Sequence, residues 1–177
     1  TALSSAQNGL NAADGLVRTA WEKAQISSNF GGMMALTSNA LSSFTSGDSA
    51  DRVGALASTP DSTYVTAKDT MQQTLSVSGL DGTVIKAGDM VTITGVNRLN
   101  VSTRQPILDA SGAQVPWTGT VVADATITGG AATIVVSGAA IYEANGQYNN
   151  VTAAPAATNV VTILGAASTL YQPNLFY

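Results

Sequence analysis

Few side chains in this sequence could carry out acid–base or nucleophilic chemistry. The 177 residues include no histidine and no cysteine, so the commonest general base and the commonest thiol nucleophile are absent. Serine and threonine are abundant, but a serine nucleophile would need Lys23, Lys68 or Lys86 as its base. Nothing around these lysines indicates the buried amine that such a site requires. The sequence therefore predicts that the protein is not an enzyme, with a Ser–Lys hydrolase as the least favoured alternative.

The acidic residues indicate turns rather than a metal site or a catalytic pair. Asp81 and Asp89 stand beside glycines, where an aspartate side chain bonds the local backbone. The run from Asp48 to Asp51 alternates oxygen donors, but it lacks the later acidic ligand of an EF-hand loop. No phosphate-binding string of the form Gly-x-x-x-x-Gly-Lys-Ser/Thr occurs. We therefore predict no catalytic residues, no metal and no cofactor.

The charge balance argues against nucleic acid and for contacts between neutral surfaces. The net charge is −4, and the seven basic residues are scattered instead of clustered, so direct nucleic-acid binding is not expected. Only 10% of the residues are charged, which leaves a surface of small neutral polar side chains that repel one another weakly. Such a surface suits a protein that packs against copies of itself, and it also suits a secreted β-domain. No apolar stretch reaches the ~18 residues of a membrane span, and the first residues of the sequence do not resemble the basic and then apolar pattern of a signal peptide.

The first part of the chain predicts one helix followed by a strand and a loop. Apolar residues recur at three- and four-residue spacing over residues 8–26, which is typical of a helix with one buried face. Trp21 lies beside this stripe, and Gly31-Gly32 ends the pattern. Residues 33–37 are a short apolar run and read as a strand. Residues 46–63 are rich in Ser, Asp, Gly, Ala and Pro without a clear period, so they are predicted to form one long loop.

The rest of the chain predicts five to seven short strands separated by turns. Alternation of polar and apolar residues marks strands at 74–78 and 91–94, and Gly95 indicates a bulge. Further strands are expected at 84–85, from Trp117 to Ala123 and at 160–164, with a second long loop over 143–158. Residues 126–136 contain Gly129-Gly130 between β-branched runs and are predicted to form a hairpin. The pattern favours a mainly β (α+β) fold, with a small antiparallel barrel or sandwich after an N-terminal helix.

Five strings stand out when the sequence is taken in order, namely residues 20–33 (AWEKAQISSNFGGM), 36–41 (LTSNAL), 86–96 (KAGDMVTITGV), 159–164 (NVVTIL) and 174–176 (NLF). Together they resemble the major coat proteins of short-tailed bacteriophages of the Salmonella phage P-twenty-two type. The resemblance spans nearly the whole chain.

The resemblance implies a fold and a domain order. Such coat proteins have the capsid fold of tailed phages, with a β-barrel inserted into the central domain. Residues 1–45 would then be a central-domain segment, 46–165 the inserted barrel and 166–177 the strand returning to the central domain. The chain begins with Thr1 and matches only the middle of a coat subunit, so we expect it to be a fragment.

The resemblance also implies partners and candidate contacts. The full-length protein would self-assemble into an icosahedral shell with a scaffolding protein, in the host cytoplasm, and would end in the virion capsid. The isolated fragment would be monomeric, with no membrane or nucleic-acid partner. Asp48, Asp51 and Arg52 become candidates for contacts between subunits, because the loop at 46–63 falls where the family carries an extended loop. The main alternative is a phage tail or surface adhesin β-domain that binds a receptor or glycan.

Overall fold

A computed structural model describes residues 43–171 of the chain. The predicted helix at 8–26 and the predicted strand at 33–37 lie outside the described residues. The chain divides between Leu41 and Ser42, so all described residues belong to the second of its two units. In the described part, no helix is long and apolar enough to cross a membrane.

The described residues form a mostly β structure around a closed six-stranded barrel. Between residues 43 and 171 there are ten strands and one short helix, α1 (Tyr64–Ala67). The strands are β1 (Phe44–Thr45), β2 (Val53–Leu56), β3 (Gln72–Ser78), β4 (Val84–Ile85), β5 (Met90–Asn97), β6 (Pro116–Val121), β7 (Ala125–Thr126), β8 (Ala131–Ser137), β9 (Val160–Ile163) and β10 (Leu170–Tyr171). The barrel runs β2-β3-β8-β6-β5-β9 and back to β2, and every pairing is antiparallel. The prediction of a small antiparallel barrel is confirmed.

Alternating apolar residues point into the barrel and form its core. In β3, every second residue is buried, namely Gln73, Leu75 and Val77. Thr74, which lies between Gln73 and Leu75, is exposed, so the predicted alternation is confirmed. The longest pairing joins β3 to β8 over seven residue pairs from Gln72↔Ser137 to Ser78↔Ala131. Trp117 of β6 is also buried, and its indole N–H donates to the carbonyl oxygen of Gly138 over 2.8 Å. Trp117 therefore packs within the barrel core.

A bulge in β5 changes which residues face the core. Val91 and Ile93 are buried with a spacing of two, but the next buried residue is Val96. The register between β5 and β6 shifts between Thr92 and Asn97, and Gly95 adopts a φ of 85°. Because an extra residue in one strand reverses the inward and outward faces, the bulge returns Val96 to the core. The bulge predicted at Gly95 is confirmed.

The prediction of one long loop over residues 46–63 is wrong. Within it lies β2 (Val53–Leu56), which closes the barrel between β3 and β9. The four residues of β2 include a glycine and give no clear local period. Their partners are Val160–Thr162 of β9 and Val77–Ser78 of β3, both distant in sequence. Long-range pairing therefore makes this segment a strand.

The predicted hairpin at 126–136 is correct at its turn and wrong in its strands. Gly129 and Gly130 have φ values of 59° and 77°, and Thr128 pairs with Ala131 across them. Beyond that bridge the two arms separate. β7 (Ala125–Thr126) pairs with β4, whereas β8 pairs with β3 and β6.

Candidate functional site at the chain junction

The two ends of the described unit lie side by side. β1 and β10 pair antiparallel, with Phe44 opposite Tyr171 and Thr45 opposite Leu170. The rings of Phe44 and Tyr171 stack with centroids 6.2 Å apart and an interplanar angle of 19°. The Tyr171 hydroxyl accepts a hydrogen bond from the Ala166 amide at 2.9 Å. The chain therefore enters and leaves the barrel unit through one narrow two-stranded ribbon, which we call the stem (Phe44–Thr45 and Leu170–Tyr171).

Ser46 extends this pairing toward the barrel. Its amide donates to the carbonyl oxygen of Thr169 at 3.1 Å, and its hydroxyl oxygen accepts from the Thr169 amide at 3.0 Å. The same hydroxyl donates to the carbonyl oxygen of Ala166 at 2.6 Å. The next residue, Gly47, accepts from the Ser168 amide at 2.9 Å. Ser46 is buried, so these bonds are shielded from competing water.

A buried ion pair joins the two segments that connect the stem to the barrel. We call residues 46–52 the incoming segment and residues 164–169 the outgoing segment. The Nη2 of Arg52 donates to Oδ1 of Asp89 at 2.7 Å, and both side chains are almost fully buried. Arg52 also donates to the carbonyl oxygens of Gly47 at 3.1 Å and Leu164 at 2.9 Å. The other oxygen of Asp89 accepts from the amides of Gly47 at 3.0 Å and Lys86 at 2.9 Å. One ion pair thus contacts the incoming segment, the outgoing segment and the start of β5.

Two further carboxylates attach the incoming segment to the turn before β4. Asp48 accepts from the Thr83 hydroxyl at 2.5 Å, the Val84 amide at 2.7 Å and the Thr83 amide at 2.9 Å. These hydrogen bonds, led by the Thr83 hydroxyl, lower the pKa of Asp48 to about 2 because they favour the ionised form. Asp81 accepts from the Ser49 hydroxyl at 2.7 Å, which is the main cause of its lowered pKa, and from the amides of Ala50 and Asp51.

The structure places the three predicted contact residues in different environments. Asp48 bonds Thr83 and Val84, and Arg52 is paired with Asp89 inside the same subunit. Asp51 is exposed, and no described residue donates a hydrogen bond to its carboxylate. The structure brings Asp48 and Arg52 to the same junction, where both fix the incoming segment to the barrel. Contacts of the three residues with another subunit remain a prediction.

The polar side chains of the junction bond one another and the backbone. In residues 43–171, no three acidic side chains lie close enough to hold a metal ion. The oxygens of Asp48 face N–H and O–H donors, which is the environment of a carboxylate that stabilises a turn. The arrangement can therefore hold two chain segments in a fixed relation to the barrel.

Sequence reasoning missed the central residue of this site. Asp89 was predicted to be a turn residue, and it does lie in a turn, where its amide donates to the Lys86 carbonyl at 3.0 Å. However, only 2% of Asp89 is exposed, and its partner lies 37 positions earlier. The local sequence around Asp89 contains no signal that distinguishes a buried carboxylate from a solvated one.

Comparisons of the sequence with known proteins identify one family. The sequence model described as "P22 coat protein - gene protein 5" matches residues 1–177. A protein named "Major capsid protein", from Acyrthosiphon pisum secondary endosymbiont phage 1, is 42% identical over 180 residues, covering 99% of this chain. The chain spans 42% of the length of that relative. Among solved structures, the "CUS-3 coat protein I-domain" matches with a TM-score of 0.44 and 25% identity, covering 66% of this chain and 97% of that one.

The match to the family extends over every residue of the sequence, and it includes the segments on both sides of the barrel. The strings at 20–33, 86–96 and 159–164 that indicated this resemblance all lie within the matched range. The chain belongs to the P22 coat protein family.

Proposed function

We propose that this chain is the middle part of a bacteriophage major coat protein, a structural subunit of the capsid. The observation that carries the proposal is family membership along the whole chain, together with the 42% identity to a protein named as a major capsid protein. A shell subunit needs surfaces that pair symmetrically and needs no catalytic group. We accordingly propose that the protein is not an enzyme and that it resides in the virion.

We propose that the barrel is an insertion in a larger central domain. Residues 1–45 and 166–177 would belong to that domain, and 46–165 would form the insertion. The pairing of Phe44 with Tyr171 supports this arrangement, because a host domain accepts an insertion most easily when its two ends lie together. The stem would be the connection between the insertion and the central domain.

The insertion would support folding of the coat subunit. A closed barrel leaves no unpaired strand edge, so it can fold without partner subunits and does not template aggregation. Once formed, its stem would hold two distant parts of the parent chain together. This lowers the entropy that the parent domain loses on folding.

The partners that we propose follow from the same function. The full-length protein would self-assemble into an icosahedral shell in the host cytoplasm, with a scaffolding protein. Contacts between capsomers would include the exposed Asp51, while Asp48 and Arg52 would shape the segment that presents it. The low proportion of charged residues supports packing between copies. No direct nucleic-acid contact by this segment is proposed.

Electron microscopy of the full-length parent, expressed with its scaffolding partner, tests this function. The variant to compare replaces residues 46–169 by Asn-Gly, because Thr45 and Leu170 are opposite each other and a two-residue turn can join them. We expect closed icosahedral particles from the natural sequence and aggregated subunits from the deletion.

The outcomes separate the two parts of the proposal. Tubes, fibres or monomers from the natural sequence under all conditions would overturn the capsid function. Closed particles in equal yield from the deletion would leave the capsid function standing and would overturn the folding role of the barrel.

A further inference from the structure

We infer that the Arg52–Asp89 ion pair is the group that positions the stem on the barrel. The junction latch, as we name it, comprises Arg52, Asp89 and the backbone of Gly47 and Leu164. Its effect on the parent subunit rests on the proposed function, whereas its effect within this chain does not.

The contacts of Arg52 support this role because they reach both chain segments. The guanidinium bonds Gly47, which follows the first stem strand by two residues, and Leu164, which follows β9. Its third partner is Asp89, just before β5. The planar guanidinium presents several N–H groups in a fixed arrangement, so one side chain can fix three separate points of backbone and side chain.

Burial makes this pair different from a surface ion pair. The side chains of Arg52 and Asp89 are 7% and 1% exposed. Removing one partner leaves a charge that is neither solvated nor compensated, so the surrounding segments must move to admit water. The segments that can move most easily are those attached only at the junction, which are the stem and its two connections.

The backbone at Arg52 indicates that the latch holds the chain in an unfavourable conformation. Arg52 has a φ of 54°, in the left-handed region that residues with a Cβ seldom adopt. Such a conformation persists when surrounding contacts over-determine it. Its three side-chain hydrogen bonds and the donation from the Ile163 amide to its carbonyl oxygen at 2.7 Å supply those contacts.

A second ion pair nearby provides a matched control. Lys86 donates to Asp124 at 2.7 Å, but these side chains are 42% and 51% exposed. Lys86 also bonds Asp89, but through its main-chain amide, which a substitution of the side chain does not remove. Lys86→Met therefore removes the exposed ion pair and leaves the latch intact. An exposed pair contributes little to local order, since water and salt compete for its charges.

Amide hydrogen exchange by NMR on the 177-residue chain tests the inference. In Arg52→Met, we expect the amides of Gly47, Ser168 and Thr169 to exchange at least ~10-fold faster than in the natural sequence. The amides of Leu75 and Ile134 in the barrel core should keep their rates, and Lys86→Met should change none of these five. Arg52→Lys should give an intermediate effect, because an ammonium retains the charge without the planar donor arrangement.

A second variant covers the case in which Arg52→Met does not fold. The double variant Arg52→Met with Asp89→Leu removes both charges, and replacement of a buried ion pair by apolar residues commonly preserves the fold. Its Ser168 and Thr169 amides should still exchange faster than those of the natural sequence, and Gly47 is left out of this comparison because Asp89 is the acceptor of its amide.

Two results would contradict the inference that the Arg52–Asp89 ion pair positions the stem. One is unchanged exchange at the junction amides, and the other is an equal increase at the junction and core amides, which would make the pair a general contributor to stability. Neither result depends on particle formation. A failure of the parent protein to form capsids would overturn the proposed function without affecting the latch.

Discussion

At the scale of single residues, aspartates organise the turns of this protein. Asp61, Asp81 and Asp109 each accept hydrogen bonds from nearby hydroxyl and amide groups, and these bonds lower the pKa of each carboxyl. The pKa of the Asp48 carboxyl is lowered to about 2. A carboxyl whose pKa is lower in the folded state than in the unfolded chain stabilises the fold while it is ionised. These residues therefore make the structure sensitive to acid.

We predict that acid weakens the fold through Asp48 in particular. The unfolded pKa is about 3.9, so the stabilisation by Asp48 is complete above about pH 5 and is lost as the pH falls toward its folded pKa of about 2. The urea midpoint of the natural sequence should fall between pH 6 and pH 3, and Asp48→Asn should fall less. Asp51→Asn is the control, since no described residue donates to that carboxylate. Equal pH dependence in all three proteins would contradict the role of Asp48.

At the scale of elements, turn geometry decides how strands are connected. Gly129 and Gly130 both have positive φ, the combination that a type I′ two-residue turn requires. A Cβ at Gly129 would meet no atom within 4 Å, so backbone conformation alone restricts that position. The turn redirects the chain from β7, which pairs with β4, into β8 of the barrel.

We predict that replacing Gly129 by asparagine leaves the stability of the fold nearly unchanged and that replacing it by valine lowers that stability. Gly129→Asn should change the free energy of unfolding by less than about 0.5 kcal/mol, because asparagine tolerates positive φ in this turn. Gly129→Val should lower it by roughly 1–3 kcal/mol, since a β-branched residue is strained there. Chemical denaturation of both variants measures the difference, and equal stability of the two would show that the turn can change type.

At the scale of the whole molecule, barrel closure makes the described unit self-contained. Each of the six barrel strands has a partner on both sides, so the sheet has no open edge. The stem then brings the two ends of the unit together. Such a unit has its own core and needs no other segment to complete its sheet.

We predict that residues 43–171 fold when expressed alone. Trp117 is the single tryptophan in this range, and it is buried, so its fluorescence should report one cooperative unfolding transition in urea. A control spanning residues 57–171 lacks β1, Arg52 and β2. Loss of β2 leaves the barrel open between β3 and β9, so this control should show no such transition. A gradual change in residues 43–171 would mean that the barrel depends on the rest of the chain.

The sequence by itself determined the features that depend on neighbouring residues. Alternation identified most of β3 and half of β5, and glycines marked the bulge at Gly95 and the turn at Gly129. These predictions succeeded because side-chain direction and backbone φ are local properties. Ordered strings along the chain also indicated the coat-protein family before any fold was known.

Only the tertiary structure decided which distant residues meet. The sequence of β2 does not differ from that of a loop, and its pairing with β3 and β9 makes it a strand. Likewise, the sequence around Arg52 and Asp89 is typical of surface charges, and only the folded barrel buries the two side chains together. Burial and pairing depend on the three-dimensional arrangement of segments that lie tens of residues apart. A charged residue reads as exposed in sequence, because only its partner makes burial tolerable.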